Sequence, residues 1–391
     1  MKLTLEDVKK ITAGALEISE NDGVFSFFRF EKEAMEHYAG ASTGLCMKSK
    51  ASSSIRLDFM TSSDRFDTDF SVNYGSSRTY YYFDVCIDGI IRKHLGEEVA
   101  WIKKGHISLK VSDYVPQDGK EHRITLWFPN LSSTQLSNIE IDDGATLTPI
   151  NYKMKLLCFG DSITQGYDAA FASKSYVNRI TSHFDAYTVN QAIGGERFVP
   201  EILLENTEYK PDIVTVAYGT NDWSGTVKSY FHPRCEEFFA KASKIYPDAL
   251  KFAILPIWRA DAKSGKQKYE GSLDEACSFI AETASKYGFR IIDARPFLPQ
   301  CSEFFWDGRL HPNDLGFADY ARGVIAEIEK YIFGTHAMII TRAPEDYRNE
   351  DEVLYLSGHT NFRMDESFRD ILEDMNTNTV FRFYNFHDIK G

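Results

Sequence analysis

The chain lacks any apolar run near the roughly 20 residues that a membrane-crossing helix needs, and its first ten residues, Met1 to Lys10, lack the apolar core of a signal peptide. Both absences lead to the expectation of a cytoplasmic protein with no membrane partner. Cysteine is sparse. The six residues Cys46, Cys86, Cys158, Cys235, Cys277 and Cys301 are scattered with no Cys-x-x-Cys pair, which disfavours a disulfide scaffold and suits free thiols in a reducing compartment. Positive charge is also in deficit. Lys and Arg number 44 against 57 Asp and Glu, a net charge of −13, which argues against nucleic acid as a main partner. There is no His-Glu-x-x-His and no Cys/His cluster for a metal, and no dinucleotide fingerprint. Gly160 and Gly166 are not followed by the Lys-Ser/Thr of a phosphate loop, so no cofactor is expected. Internal repeats and low-complexity linkers are missing as well.

What is present suits two or three packed domains: 391 residues, 43% hydrophobic and 14% aromatic. After a short helical pattern on Leu5, Val8, Ile11 and Leu16, residues up to Pro149 read as short alternating strands. Candidates are 24–30, 55–60, 66–73, 80–87, 99–103, 107–111, 122–128 and 136–141. This rhythm predicts an all-β sandwich or jelly roll over 1–150. Its aromatics Tyr74, Tyr80, Tyr81, Tyr82, Trp101 and Trp127 fit either a core or a sugar-stacking surface. From 151 to 335 strands (155–159, 187–193, 213–217, 252–255, 290–292) alternate with helical patterns (172–184, 198–207, 227–245, 265–287, 316–333). That alternation predicts an α/β, doubly wound parallel sheet. The tail 336–391, with strands at 337–341, 353–356 and 380–384 and a helix at 366–375, is expected to pack on one of the other domains.

The chain is organised around Lys153 to Gly166. The apolar run Met154–Phe159 suits a strand buried on both faces, and it ends in Gly160-Asp161-Ser162. A serine at the carboxyl end of a central strand is either a nucleophile or a helix cap. Three further motifs follow: Asn190 to Glu196 with its Gly194-Gly195 pair, Gly219-Thr220-Asn221-Asp222, and Asp307 to Asn313 with His311. With these four blocks in order, residues 153–333 resemble the GDSL, or SGNH, hydrolases.

The resemblance implies a flavodoxin-like three-layer fold, Ser162 as nucleophile and His311 as base. It implies an oxyanion hole from the Ser162 and Gly195 N–H groups and the Asn221 side chain, Gly194 being the adjacent alternative. Asp307 is expected to orient His311, although it lies four positions before the histidine where the family has three. A serine–histidine dyad is the alternative. Asp161 and Asp222 read as loop-holding or capping groups, and Glu196, Trp223, Trp258 and Arg259 as substrate-binding candidates after strands.

A β-sandwich before an SGNH domain is similar to two-domain acetyl esterases acting on plant polysaccharides, so the implied substrate is a small-molecule or oligosaccharide ester with a short, O-acetyl group. A lipase, lysophospholipase or thioesterase is one alternative, and an inactive carbohydrate-binding module another. Oligomeric state is not readable.

Overall fold

The computed structural model describes residues 1–99 and 103–332, together with the backbone of strands Ile339–Arg342, Val353–Ser357 and Val380–Tyr384. Residues 1–322 form one compact unit and 323–391 a second. The second holds a sheet in which Val353–Ser357 lies antiparallel to Ile339–Arg342 and parallel to Val380–Tyr384. The expected helix at 366–375, and Trp101 within the expected strand 99–103, lie outside the described residues. No helix among the described residues is long and apolar enough to cross a membrane.

Two antiparallel sheets face each other in the amino-terminal part. One runs Thr12–Ala13, Arg56–Thr61, His122–Trp127, Tyr80–Ile87, Ile90–Glu98. The other runs Glu17–Asn21, Val24–Phe28, Ser132–Ile141, Arg65–Tyr74, Lys103–Lys110. Alternation drives the pairing. Leu57, Phe59, Phe83, Val85, Ile124 and Leu126 from one sheet meet Phe25, Phe27, Phe66, Ile107, Leu109 and Leu136 from the other in a single core. Each large apolar side chain buried there contributes about 1.5–3 kcal/mol.

Two departures from the sequence reading stand out. Strand Ile90–Glu98 was not expected, because its Arg92, Lys93, His94, Glu97 and Glu98 break alternation. It is an edge strand, where charge discourages further pairing. Helices Lys32–Ala41 and Thr43–Ser49 interrupt the strands. Phe30, Ala34 and Tyr38 join the core of the α/β part with Phe198, Trp223 and Phe231. The boundary near residue 150 therefore separates the sheets but not the cores.

The α/β sheet is all parallel, in the order Tyr187–Asn190, Lys155–Gly160, Ile213–Ala217, Leu250–Ile254, Arg290–Ile292. This is the flavodoxin-like order 2-1-3-4-5. The chain crosses in opposite senses on either side of Lys155–Gly160, so the crevice opens beyond that strand's carboxyl end. Helices Tyr176–His183, Lys228–Ile245, Leu273–Lys286 and Asp314–Ile332 connect or follow the strands.

The helix expected from 265 begins only at Leu273, where Ser272 and Glu275 form a reciprocal capping box. The helix expected over 198–207 is only a 3-10 turn, Pro200–Ile202. Phe198, Ile202 and Leu203 are buried from this irregular segment. Their helix-like spacing reflects packing rather than helix.

Candidate active site

Gly160 closes the first strand with no room for a side chain: a Cβ there would clash with Thr164 Oγ1. Asp161 then caps the short helix Ser162–Gln165, accepting from the Ile163 amide at 3.0 Å. The capping role open to a serine at this turn is taken by Asp161. The Ser162 hydroxyl instead lies 2.8 Å from His311 Nε2. His311 Nδ1 lies 2.9 Å from Asp307 Oδ2.

The extra residue between Asp307 and His311 is absorbed in a tight turn with Gly308 at φ +63°. Asp307 Oδ1 accepts the amides of Arg309, Leu310 and His311 at 2.9, 2.7 and 3.1 Å. Burial by itself would raise this carboxyl, but the His311 bond and the amides hold it well below the usual carboxylate range. An ionised Asp307 keeps the imidazole proton on Nδ1 and leaves Nε2 as the acceptor.

The glycine pair is resolved by hydrogen bonding. Gly194 donates to Gln165 Oε1 at 2.6 Å and packs against the Tyr167 ring. Gly195 is exposed at φ +85°, a conformation that favours glycine. The amides of Ser162 and Gly195 have no acceptor among the described residues. Asn221 follows the Ile213–Ala217 strand and donates one amide hydrogen to Glu196 O at 3.0 Å, which orients the group. Lys48, on helix Thr43–Ser49, reaches Gly194 O at 2.5 Å and braces the same loop.

Three of the four expected substrate contacts are buried. Trp223 is in the core, with its ring N–H on Gly271 O. The Arg259 guanidinium lies over that ring and is tied to Thr220 and Asp261. Glu196 is buried, and burial raises its carboxyl. These residues follow strands as expected, but their side chains turn inward and support the loops. Trp258 alone is half-buried, against Phe305. Among the aromatics of the β half, Tyr81 and Trp127 are core, while Tyr80 and Tyr82 contact the segment 169–171.

Sequence reading missed Trp306, which is 65% exposed and whose backbone amide donates to His311 O at 2.8 Å. Its position next to Asp307 was the available signal. It also missed Asp168, buried beside His311. Asp168, Asp307 and His311 bring three potential metal-ligand atoms within 4.8 Å. The Asp168 carboxylate already holds the Arg78 guanidinium, which leaves it poorly suited to a cation.

Two buried acids lie behind the site. Burial pushes Asp161 up to about 6 and Asp222 up to about 7, and Asp222 Oδ2 has no partner among the described residues. An unfolded aspartate titrates near 4. The folded state therefore holds the Asp222 proton more tightly, and its contribution to stability is full below about pH 4 and lost as pH rises through about 7, by up to about 1.4 kcal/mol per pH unit. Asp222→Asn should be less sensitive to pH than wild type between pH 5 and 8 in urea unfolding. Parallel curves would contradict the assignment.

Residues 158–318 match the model of the GDSL-like lipase/acylhydrolase family. A salicylyl-acyltransferase from a tetracycline biosynthetic pathway is 18% identical, with a TM-score of 0.66 over 83% of this chain and 94% of that one. A family two carbohydrate esterase from Cellvibrio japonicus is 16% identical, with a TM-score of 0.56 over 84% and 97%. Another from Clostridium thermocellum, solved with cellohexaose, is 17% identical, with a TM-score of 0.53 over 73% and 94%. No curated protein matches the chain. Residues 158–318 are thus a GDSL-like lipase/acylhydrolase domain, a carboxylic ester hydrolase, in a chain that shares its β-sandwich and α/β fold with family two carbohydrate esterases.

Proposed function

We propose that the protein is a serine esterase that removes short acyl groups, acetyl foremost, from carbohydrate. The observation that carries this reading is the continuous relay Asp307–His311–Ser162, with separations of 2.9 and 2.8 Å. His311 Nε2 takes the Ser162 proton as Oγ attacks the ester carbonyl. The tetrahedral oxyanion faces the Ser162 and Gly195 amides and the free Asn221 amide hydrogen. Collapse expels the alcohol, which receives the proton from His311. Water then repeats the sequence on the acyl-enzyme and releases the acid.

The short-acyl preference follows the fold shared with two-domain carbohydrate esterases. The carbohydrate preference is supported by the shared fold of esterases of that class and by two aromatics near the relay, Trp258 and exposed Trp306, whose rings suit sugar faces.

Initial rates on p-nitrophenyl acetate, butyrate and octanoate test the acyl preference, and acetylated xylo- and cello-oligosaccharides test the alcohol side. Acetate is expected to lead. Octanoate preference would move the assignment to a lipase. Asn221→Ala should lower kcat by about 10²–10³-fold with KM little changed, the usual loss for one oxyanion donor. An unchanged kcat would remove Asn221 from the oxyanion site.

A further inference from the structure

We propose that Asp168 is a second carboxylate acceptor for His311, held in place by Arg78 from the β-sandwich half, so that the orientation of the imidazole is shared between two acids. The proposal rests on the reading of His311 as the base. Asp168 Oδ2 lies 3.5 Å from His311 Nδ1, just beyond the 2.9 Å of Asp307 Oδ2. A small turn of the ring swings the Nδ1–H hydrogen bond from one carboxylate to the other, the proton staying on the nitrogen.

The position of Asp168 is built rather than incidental. Its side chain is fully buried, and a buried carboxylate is costly unless paired. Its backbone sits in the left-handed region at φ +69°, a strain of about 1 kcal/mol or more for a residue other than glycine. Both penalties are offset by the Arg78 fork, which reaches the two Asp168 oxygens at 2.6 and 2.7 Å. The same two segments are fixed at further points. Tyr80 Oη donates to Ala169 O at 3.1 Å. The Ser77 amide donates to Tyr167 Oη at 3.4 Å. The Tyr167 ring is stacked near the His311 ring, and the Arg78 guanidinium lies over the Tyr167 ring at 5.1 Å from its centroid.

Charge explains why a second acid is tolerated. Two bare carboxylates at one nitrogen would repel each other, but Arg78 neutralises one of them. The trio carries a net charge of −1, which matches the imidazolium formed as Ser162 gives up its proton. Asp307 is the resting partner because it is closer. Asp168 is the reserve, positioned by a residue 90 places earlier in the chain.

The test is a double-mutant cycle on Asp307→Ala and Asp168→Asn, read as kcat and KM on p-nitrophenyl acetate, with His311→Ala as the reference. Asp307→Ala is expected to lose only about tenfold in kcat, because Asp168 takes over Nδ1. Asp168→Asn alone should lose less. The pair should fall about tenfold or more below the product of the two single effects, with KM nearly constant. Strictly additive losses, or an Asp307→Ala rate as low as that of His311→Ala, would overturn the proposal. Should Asp168→Asn not fold, as judged by thermal unfolding, the comparison of Asp307→Ala with His311→Ala alone decides. Full activity in His311→Ala would instead refute the underlying assignment of the base.

Discussion

Ser162→Ala is expected to lower kcat on a short-acyl ester by about 10⁴–10⁶-fold with KM little changed, because the substituted atom acts on bonds that change only in the transition state. The hydroxyl has little other work to do. Asp161 caps the helix that Ser162 begins, and the Ser162 side chain contacts His311, so the alanine variant should fold normally. His311→Ala should cost about as much, and Ser162→Ala with His311→Ala together little more than either, since nucleophile and base act as one unit. Stopped or steady-state rates with a purified double variant check both statements. Additive losses would mean that the two residues do not act in one step.

Asp58→Ala should destabilise the fold by about 3–5 kcal/mol, the loss typical of removing one partner of a buried ion pair. Asp58 lies in the Arg56–Thr61 strand and is 2% exposed. It accepts from Arg56 Nε at 3.1 Å, twice from Arg123 at 2.8 Å, from Thr125 at 2.9 Å and from Tyr152 Oη. Arg56 in turn donates to Ala186 O at 2.7 Å, and Arg123 pairs with Asp185 at 2.7 Å. The cluster thus ties the sandwich to the α/β part. Without Asp58 the buried Arg56 cation keeps only a carbonyl and the faces of Trp127 and Tyr152.

The pH dependence has a definite sign. Burial would raise Asp58, but Arg123 and Arg56 hold it at about 2. Its stabilisation is therefore present above about pH 4 and lost as pH falls through about 2. The gap between wild type and variant in urea unfolding should narrow over that window. A loss under about 1 kcal/mol at pH 7 would show that the network is dispensable.

The three groups of the proposed relay could be picked out because each lies in a short local pattern. An apolar run ending in Gly-Asp-Ser dictates a strand, a turn and a helix start, and that places Ser162 wherever the rest folds. Asp307 and His311 are four residues apart, so a single turn joins them. The direction of the side chains proposed to line the cleft was not legible, for the opposite reason. Position after a strand fixes the loop that carries Trp223 or Arg259 but not the direction of the side chain, and both turn into the core. Helices Lys32–Ala41 and Thr43–Ser49 were hidden because they pack against the α/β core rather than the strands beside them in sequence. Arg78 had no local pattern at all, since its partner Asp168 belongs to the other half of the chain.

The most direct test of Ser162 as the nucleophile is covalent. Wild-type protein treated with a fluorophosphonate should gain one adduct by intact mass, mapped by peptide sequencing to Ser162 and absent from Ser162→Ala. No adduct, or an adduct on another residue that persists in Ser162→Ala, would contradict a serine-nucleophile mechanism at this site.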